Sequence, residues 1–168
     1  MSVKFEVKMT EKYMYDFMLY HTYTQFSGLL GGVVGVFGLG LSIHYILKGD
    51  TMSAMPFMMV ALLFLVMTPI SMKNKANLQV KMTETFRKPL QYELTEEGIV
   101  VRQEELETMN EWKDIVKAVS TGKSVILYLS RVRALIFPKE CMGEQYEAAL
   151  KMIHTHIPPA KVKIRHIH

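Results

Sequence analysis

The charge-free stretches of this chain are its clearest pattern. From Phe26 to Leu47, and again over residues 51–72, there is no Asp, Glu, Lys or Arg, and neither run has the polar stripe of a water-facing helix. As a helix the first run is about 33 Å long, enough to cross a hydrocarbon layer of roughly 30 Å. The second centres on MMVALLFLVM and ends at Lys73. Only Lys48-Gly49-Asp50 separates them, so the pattern predicts an antiparallel membrane hairpin in which each helix satisfies its own backbone.

Beyond 74–85, which reads as a polar helical extension or linker, the rhythm shortens. Residues 91–95 set Tyr92 and Leu94 on one face, and 99–102 follow across Glu96-Glu97-Gly98, a turn whose Gly suits the left-handed position of a bulged hairpin. Runs at 107–112, 115–121, 125–129 and 134–137 continue an antiparallel meander, with turns at Thr121-Gly122-Lys123 and Ser130-Arg131. The period then becomes helical: Met142, Tyr146, Ala149, Leu150, Ile153 and Ile157 share a face, and Pro158-Pro159 stops the helix. The predicted fold class is a membrane α-helical hairpin plus an α+β domain, with an antiparallel curled sheet of about six strands closed by a C-terminal helix.

The glycine-rich run GLLGGVVGVFGLG is no phosphate loop. No Lys lies between Gly28 and Leu47, and Gly38-Leu39-Gly40 is followed by Leu41, Ser42 and Ile43 where a dinucleotide fingerprint needs a further Gly. Gly28, Gly31, Gly35, Gly38 and Ser42 instead recur at spacings of three and four, and Gly28/Gly32 and Gly31/Gly35 form small-xxx-small pairs. Such a face admits a close helix neighbour, either the second span of the same chain or a second copy. Pro56 and Pro69 sit near the two ends of the second span, where a missing amide bond is most easily tolerated.

Charge gives an orientation. Lys4, Lys8 and Lys12 precede the first span, Lys73, Lys75, Lys81, Arg87 and Lys88 follow the second, and the connecting loop has Lys48 alone, so both ends are expected on the cytoplasmic side. The net charge of +4 does not indicate nucleic acid: residues 89–157 carry 8 basic against 11 acidic side chains and the rest 12 against 5. The excess is juxtamembrane and in the tail, which fits topology and attraction to anionic lipid. Methionines crowd the second span, but copper conduction would need Cys or His beside them and that span has neither.

Catalytic and metal constellations are not apparent, and no cofactor is expected. Cys141 is the sole Cys, and Glu140 and Glu144 would raise its thiol pKa. His154 and His156 are two apart and diverge on a helix, a spacing that suits dipole-facing or solvated positions. His166 and His168 belong to a tail expected to be disordered, and His44 is expected at the outer interface. Glu104, Glu105, Glu107 and Glu111 read as a solvated rim.

The order of a Val-Lys-Phe-Glu-Val strand, a Tyr-rich helix, a two-span hairpin and then YELTEEGIVV, EWKDIVKAV, VILYLS and ALIFPKE resembles the YcxB-like family of bacterial membrane proteins over essentially the whole chain. The resemblance rests on Tyr92, Gly98, Trp112, Ile115 and the Phe137-Pro138-Lys139 turn, which mark fold and not catalysis; Trp112 reads as a packing anchor at a strand end. It implies a cytoplasmic domain similar to bacterial pleckstrin-homology-like domains and brings no activity. The expected organisation is a strand and amphipathic helix at 1–25, spans at 26–47 and 51–72, a polar linker at 73–88, the YcxB-like domain at 89–160 and a basic tail at 161–168. The expected function is a non-enzymatic, multi-pass inner-membrane protein with both termini cytoplasmic, presenting a protein-interaction module to an unidentified protein partner. Glu96-Glu97-Gly98 at the first hairpin would repel an anionic headgroup there. The alternative is a small channel or transporter component, a homo-oligomer assembled through the glycine face, although the spans lack charged or strongly polar pore candidates.

Overall fold

The computed structural model describes residues 2–164, and the chain divides into two compact units. One is formed by the chain up to Phe17 and from Leu78 onward, the other by Met18–Asn77. The tail residues Arg165, His166 and His168 lie outside the described residues.

In the first unit the alternation of Val3, Phe5 and Val7 with Lys4 and Glu6 makes β1 (Val3–Val7), whose apolar side chains are all buried. It pairs antiparallel with β2 (Leu90–Leu94), setting Phe5 opposite Tyr92; β3 (Gly98–Gln103) and β4 (Leu106–Glu111) complete a four-stranded sheet in the order β1-β2-β3-β4. A second four-stranded sheet, β7-β6-β5-β8, comprises β5 (Lys117–Ser120), β6 (Ser124–Tyr128), β7 (Ala134–Pro138) and the short β8 (Val162–Lys163), which runs parallel to β5. Every residue of β6 is buried, as befits a strand with a neighbour on either side and both faces covered.

The single curled sheet of about six strands expected from the meander is therefore corrected to two open sheets. After β4 the chain turns through a 3-10 turn at Trp112–Asp114, and the Trp112 indole donates to the Thr95 carbonyl at 2.9 Å. That turn ends the first ladder, and β1 and β8 come from distant parts of the chain to fill the sheets. The two sheets meet around Phe137 of β7, whose ring is edge-on to Phe5 at 5.1 Å and to Tyr92 at 4.9 Å.

Gly98 also needs correction. Its backbone is not left-handed, and the residue is small for a different reason: a Cβ there would lie 2.4 Å from the Asn110 carbonyl oxygen on β4. The C-terminal helix is interrupted where Gly143 takes φ 48°, leaving a short α-helix at Lys139–Met142, a 3-10 turn, and a longer helix at Tyr146–His156. Ala149, Leu150 and Ile153 are buried on its expected face, with Met142 and Ile157 beside them.

In the second unit a helix at Phe26–Leu47 is joined to one beginning at Thr51, and Asp50 caps the latter by accepting the Ser53 amide at 3.0 Å. The later helix runs on past the apolar run to Met82, so much of the polar stretch that follows is a helical extension. It widens to a π-helical turn at Leu63–Met67, with Thr68 between that turn and Pro69. Pro69 can donate no amide to the preceding turn and its ring would crowd a carbonyl there, a conflict the wide turn relieves; the Thr68 hydroxyl then donates to the Leu63 carbonyl at 3.1 Å. Both helices are long and apolar enough to cross a membrane.

Candidate functional site

The glycine face divides into two contacts. Gly31, Gly35 and Gly38 lie against the second apolar helix: a Cβ at Gly31 would come within 2.9 Å of the Phe64 ring, at Gly35 within 2.9 Å of Leu65 and Phe64, and at Gly38 within 3.1 Å of the Phe57 carbonyl oxygen. Ser42 is fully buried on the same face and donates to the Ala54 carbonyl at 3.2 Å. Tyr45 stacks on Phe57 with the rings 4° from parallel, closing the loop end of the pair. Gly28 and Gly32 face elsewhere, toward Thr22 and Tyr23; a Cβ at Gly28 would meet the Thr22 carbonyl oxygen at 2.1 Å. A cavity of about 190 Å³ opens between Thr22, Ser27, Gly28, Gly31, Phe64 and Thr68.

The outer face of the β1-β2-β3-β4 sheet carries a ladder of charge. Glu93 accepts from Lys4 at 3.1 Å and from Arg102, which also reaches Glu107 at 2.8 Å. These contacts cross all four strands, and the Arg102 guanidinium, with Lys4 beside it, holds the Glu93 carboxyl below the usual carboxylate range. A second cavity of about 190 Å³ borders Lys4, Glu6, Gln91, Glu93 and Arg102, and its two cations are engaged by Glu93. The alternation of charge along β1 and β2 was visible in the sequence; the register that pairs them was not.

Trp112 is buried at the foot of β4 and stacks on His156 at 5.0 Å, 14° from parallel. His156 Nδ1 lies 2.9 Å from the Met152 carbonyl oxygen and Nε2 lies 3.0 Å from Glu96. Both neighbouring oxygens are hydrogen-bond acceptors. The imidazole expected to be dipole-facing or solvated thus binds the helix end to the β2–β3 turn. Of the other anchors, Tyr92, Ile115 and Phe137 are buried in the core, Gly98 sits against Asn110, and Pro138 ends β7 opposite Ser124.

Around the lone thiol, the Tyr13 hydroxyl donates to Glu140 at 2.7 Å and Lys12 pairs with the same carboxylate at 2.6 Å. The bond to Glu140, assisted by burial, pushes the Tyr13 hydroxyl well above its ordinary value. Burial pushes the Cys141 thiol up as well. Both groups are held in their protonated forms, the opposite of an activated nucleophile. Among the described residues no group of His, Cys, Asp and Glu is arranged to hold a metal ion.

Against known families, one part of this architecture finds a match. Residues 94–153 match the YcxB-like protein family. The YcxB-like segment runs from the last residue of β2 to within the C-terminal helix, and includes Gly98, Trp112, Ile115, Phe137 and Pro138. It excludes β1 and both apolar helices. No curated protein and no solved structure matches the chain significantly.

Proposed function

We propose that this chain is a bacterial inner-membrane protein whose two spans tether a non-enzymatic, pleckstrin-homology-like interaction module at the cytoplasmic surface, where its ligands are other proteins and not nucleic acid. The observation that carries the reading is an inverted pattern of burial. In the helix pair Gly35, Gly38, Ser42, Ala54 and Ala61 are buried, while Phe26, Phe37, Leu47, Met52 and Met59 are exposed. Small residues inside and large apolar ones outside suit a hydrocarbon solvent, where close backbone approach holds helices together. The succession of four antiparallel strands, three more and a helix supports the pleckstrin-homology-like likeness. Assembly into a channel through the glycine face has less support, because Gly31, Gly35 and Gly38 are covered by the chain's own second helix.

Topology is tested by thiol accessibility in intact bacterial cells carrying the full chain with Cys141→Ser. An impermeant maleimide is expected to label Gly49→Cys and to spare Glu97→Cys until the cells are opened. Labelling of Glu97→Cys from outside would place the module on the wrong side and end the reading. The protein-ligand half is tested by a photo-crosslinking residue at exposed Met109, which is expected to give discrete adducts in native membranes. An unmodified band there and at the other exposed positions of β4 would count against it.

A further inference from the structure

We propose that the tip between β6 and β7, Arg131-Val132-Arg133, is a contact for an anionic lipid surface. The tip has a built shape: the Leu129 and Ser130 amides donate to the Arg133 carbonyl at 2.9 and 3.1 Å, and the Ser130 hydroxyl accepts the Val132 and Arg133 amides at 3.2 and 3.0 Å. That closure leaves Val132 86% exposed between two arginines. The neighbouring strand adds to the same end of the sheet. Lys117 of β5 is the register partner of Tyr128 and holds its ammonium 4.4 Å over that ring, and Val116, also exposed, donates its amide to the Tyr128 carbonyl.

Among the described residues Lys117, Arg131 and Arg133 make no ion pair, whereas nearby Lys113 is answered by Glu111 at 2.6 Å and by the field of Asp114. The result is a fixed apolar finger flanked by uncompensated cations. An exposed valine gains by leaving water, and each basic side chain near an anionic bilayer adds attraction. A protein partner would have to supply carboxylates in matching positions around a pocket for Val132; an anionic bilayer supplies diffuse negative charge over an apolar interior without such matching. The inference rests on the membrane-spanning reading above, which puts a bilayer within the same molecule's reach.

The test uses the full chain with Cys141→Ser in nanodiscs of phosphatidylcholine alone or mixed with phosphatidylglycerol. A polarity-sensitive fluorophore is placed at Val132→Cys and, in a separate sample, at Val36→Cys. In the anionic discs at low salt the Val132 probe is expected to shift to the blue and to be quenched by a spin-labelled lipid. Both effects should fall several-fold in phosphatidylcholine or in high salt, and disappear when Arg131→Glu and Arg133→Glu are added. A Val132 probe that reads water in both lipids, or is unaffected by the charge reversal, overturns the proposal. The Val36 probe is expected to be quenched by a deep spin label in both lipids; if it reads water, the membrane-spanning reading itself has failed, whatever the tip does.

Discussion

Trp112 shows how much one side chain can gather. Its indole fills the space beneath the β2–β3 turn, its N–H satisfies the Thr95 carbonyl, and its face carries His156. Truncation to Ala removes all three, and with the full chain in detergent Trp112→Ala should cost about 3 kcal/mol or more in denaturant unfolding followed by circular dichroism. Trp112→Phe, which keeps an aromatic face but loses the N–H, should cost less than the Ala variant; equal costs would show that stacking on His156 contributes nothing. Glu93 gives a pH dependence. Its folded pKa is depressed by Arg102 and Lys4, so its contribution is fully present above the ordinary carboxylate value and is lost as pH falls through the lower, folded value. The melting temperature should therefore fall in that acid window, and Glu93→Gln should lower stability at neutral pH while flattening the acid limb. At this scale size and type were legible and partners were not. An indole announces an anchor, but nothing local to Trp112 names Thr95 or His156, and in the sequence Gly98 looks like a turn glycine because the Asn110 carbonyl that excludes a Cβ belongs to another strand.

Among the elements, the helix pair depends on absent side chains. Replacing Gly31 and Gly35 by Leu would drive new carbons into Phe64 and Leu65, so the double variant should lose heat stability in detergent in a manner independent of protein concentration. A loss that appears only on dilution would mean that the face joins two chains. Gly40, with nothing near its Cβ position, is the control and should tolerate Ala with little change. The three-four spacing of small residues made the seam readable, since it is a property of one helix. Its division was not, because Gly28 and Gly32 obey the same spacing yet face Thr22 and Tyr23. The π turn was equally hidden: Pro69 marks a conflict in the sequence, and only the backbone shows how it is relieved. Likewise β8 is too short for its alternation to register, and exists by pairing with β5.

For the whole molecule, the strand before the apolar helices and the first three strands after them belong to one sheet. Phe5 lies opposite Tyr92 and against Phe137, so the first strand supplies part of the core that the later chain closes over. The apolar helices are thus an insertion in a folded unit and not an anchor appended to it, and a fragment beginning at residue 78 should remain unfolded until a peptide spanning β1 is added. The most direct measurement is a crosslink across that junction. The full chain with Cys141→Ser receives Lys4→Cys and Glu93→Cys, which are register partners, and a protease site in the loop at Gly49. After reaction in native membranes with a short bis-thiol reagent, then solubilisation and cleavage, the two halves should remain joined in one band, while a Lys4→Cys and Glu107→Cys pair, on non-adjacent strands, should separate. If the Lys4→Cys and Glu93→Cys halves come apart as readily as that control, β1 does not complete the sheet and the account of a split, membrane-tethered module is wrong.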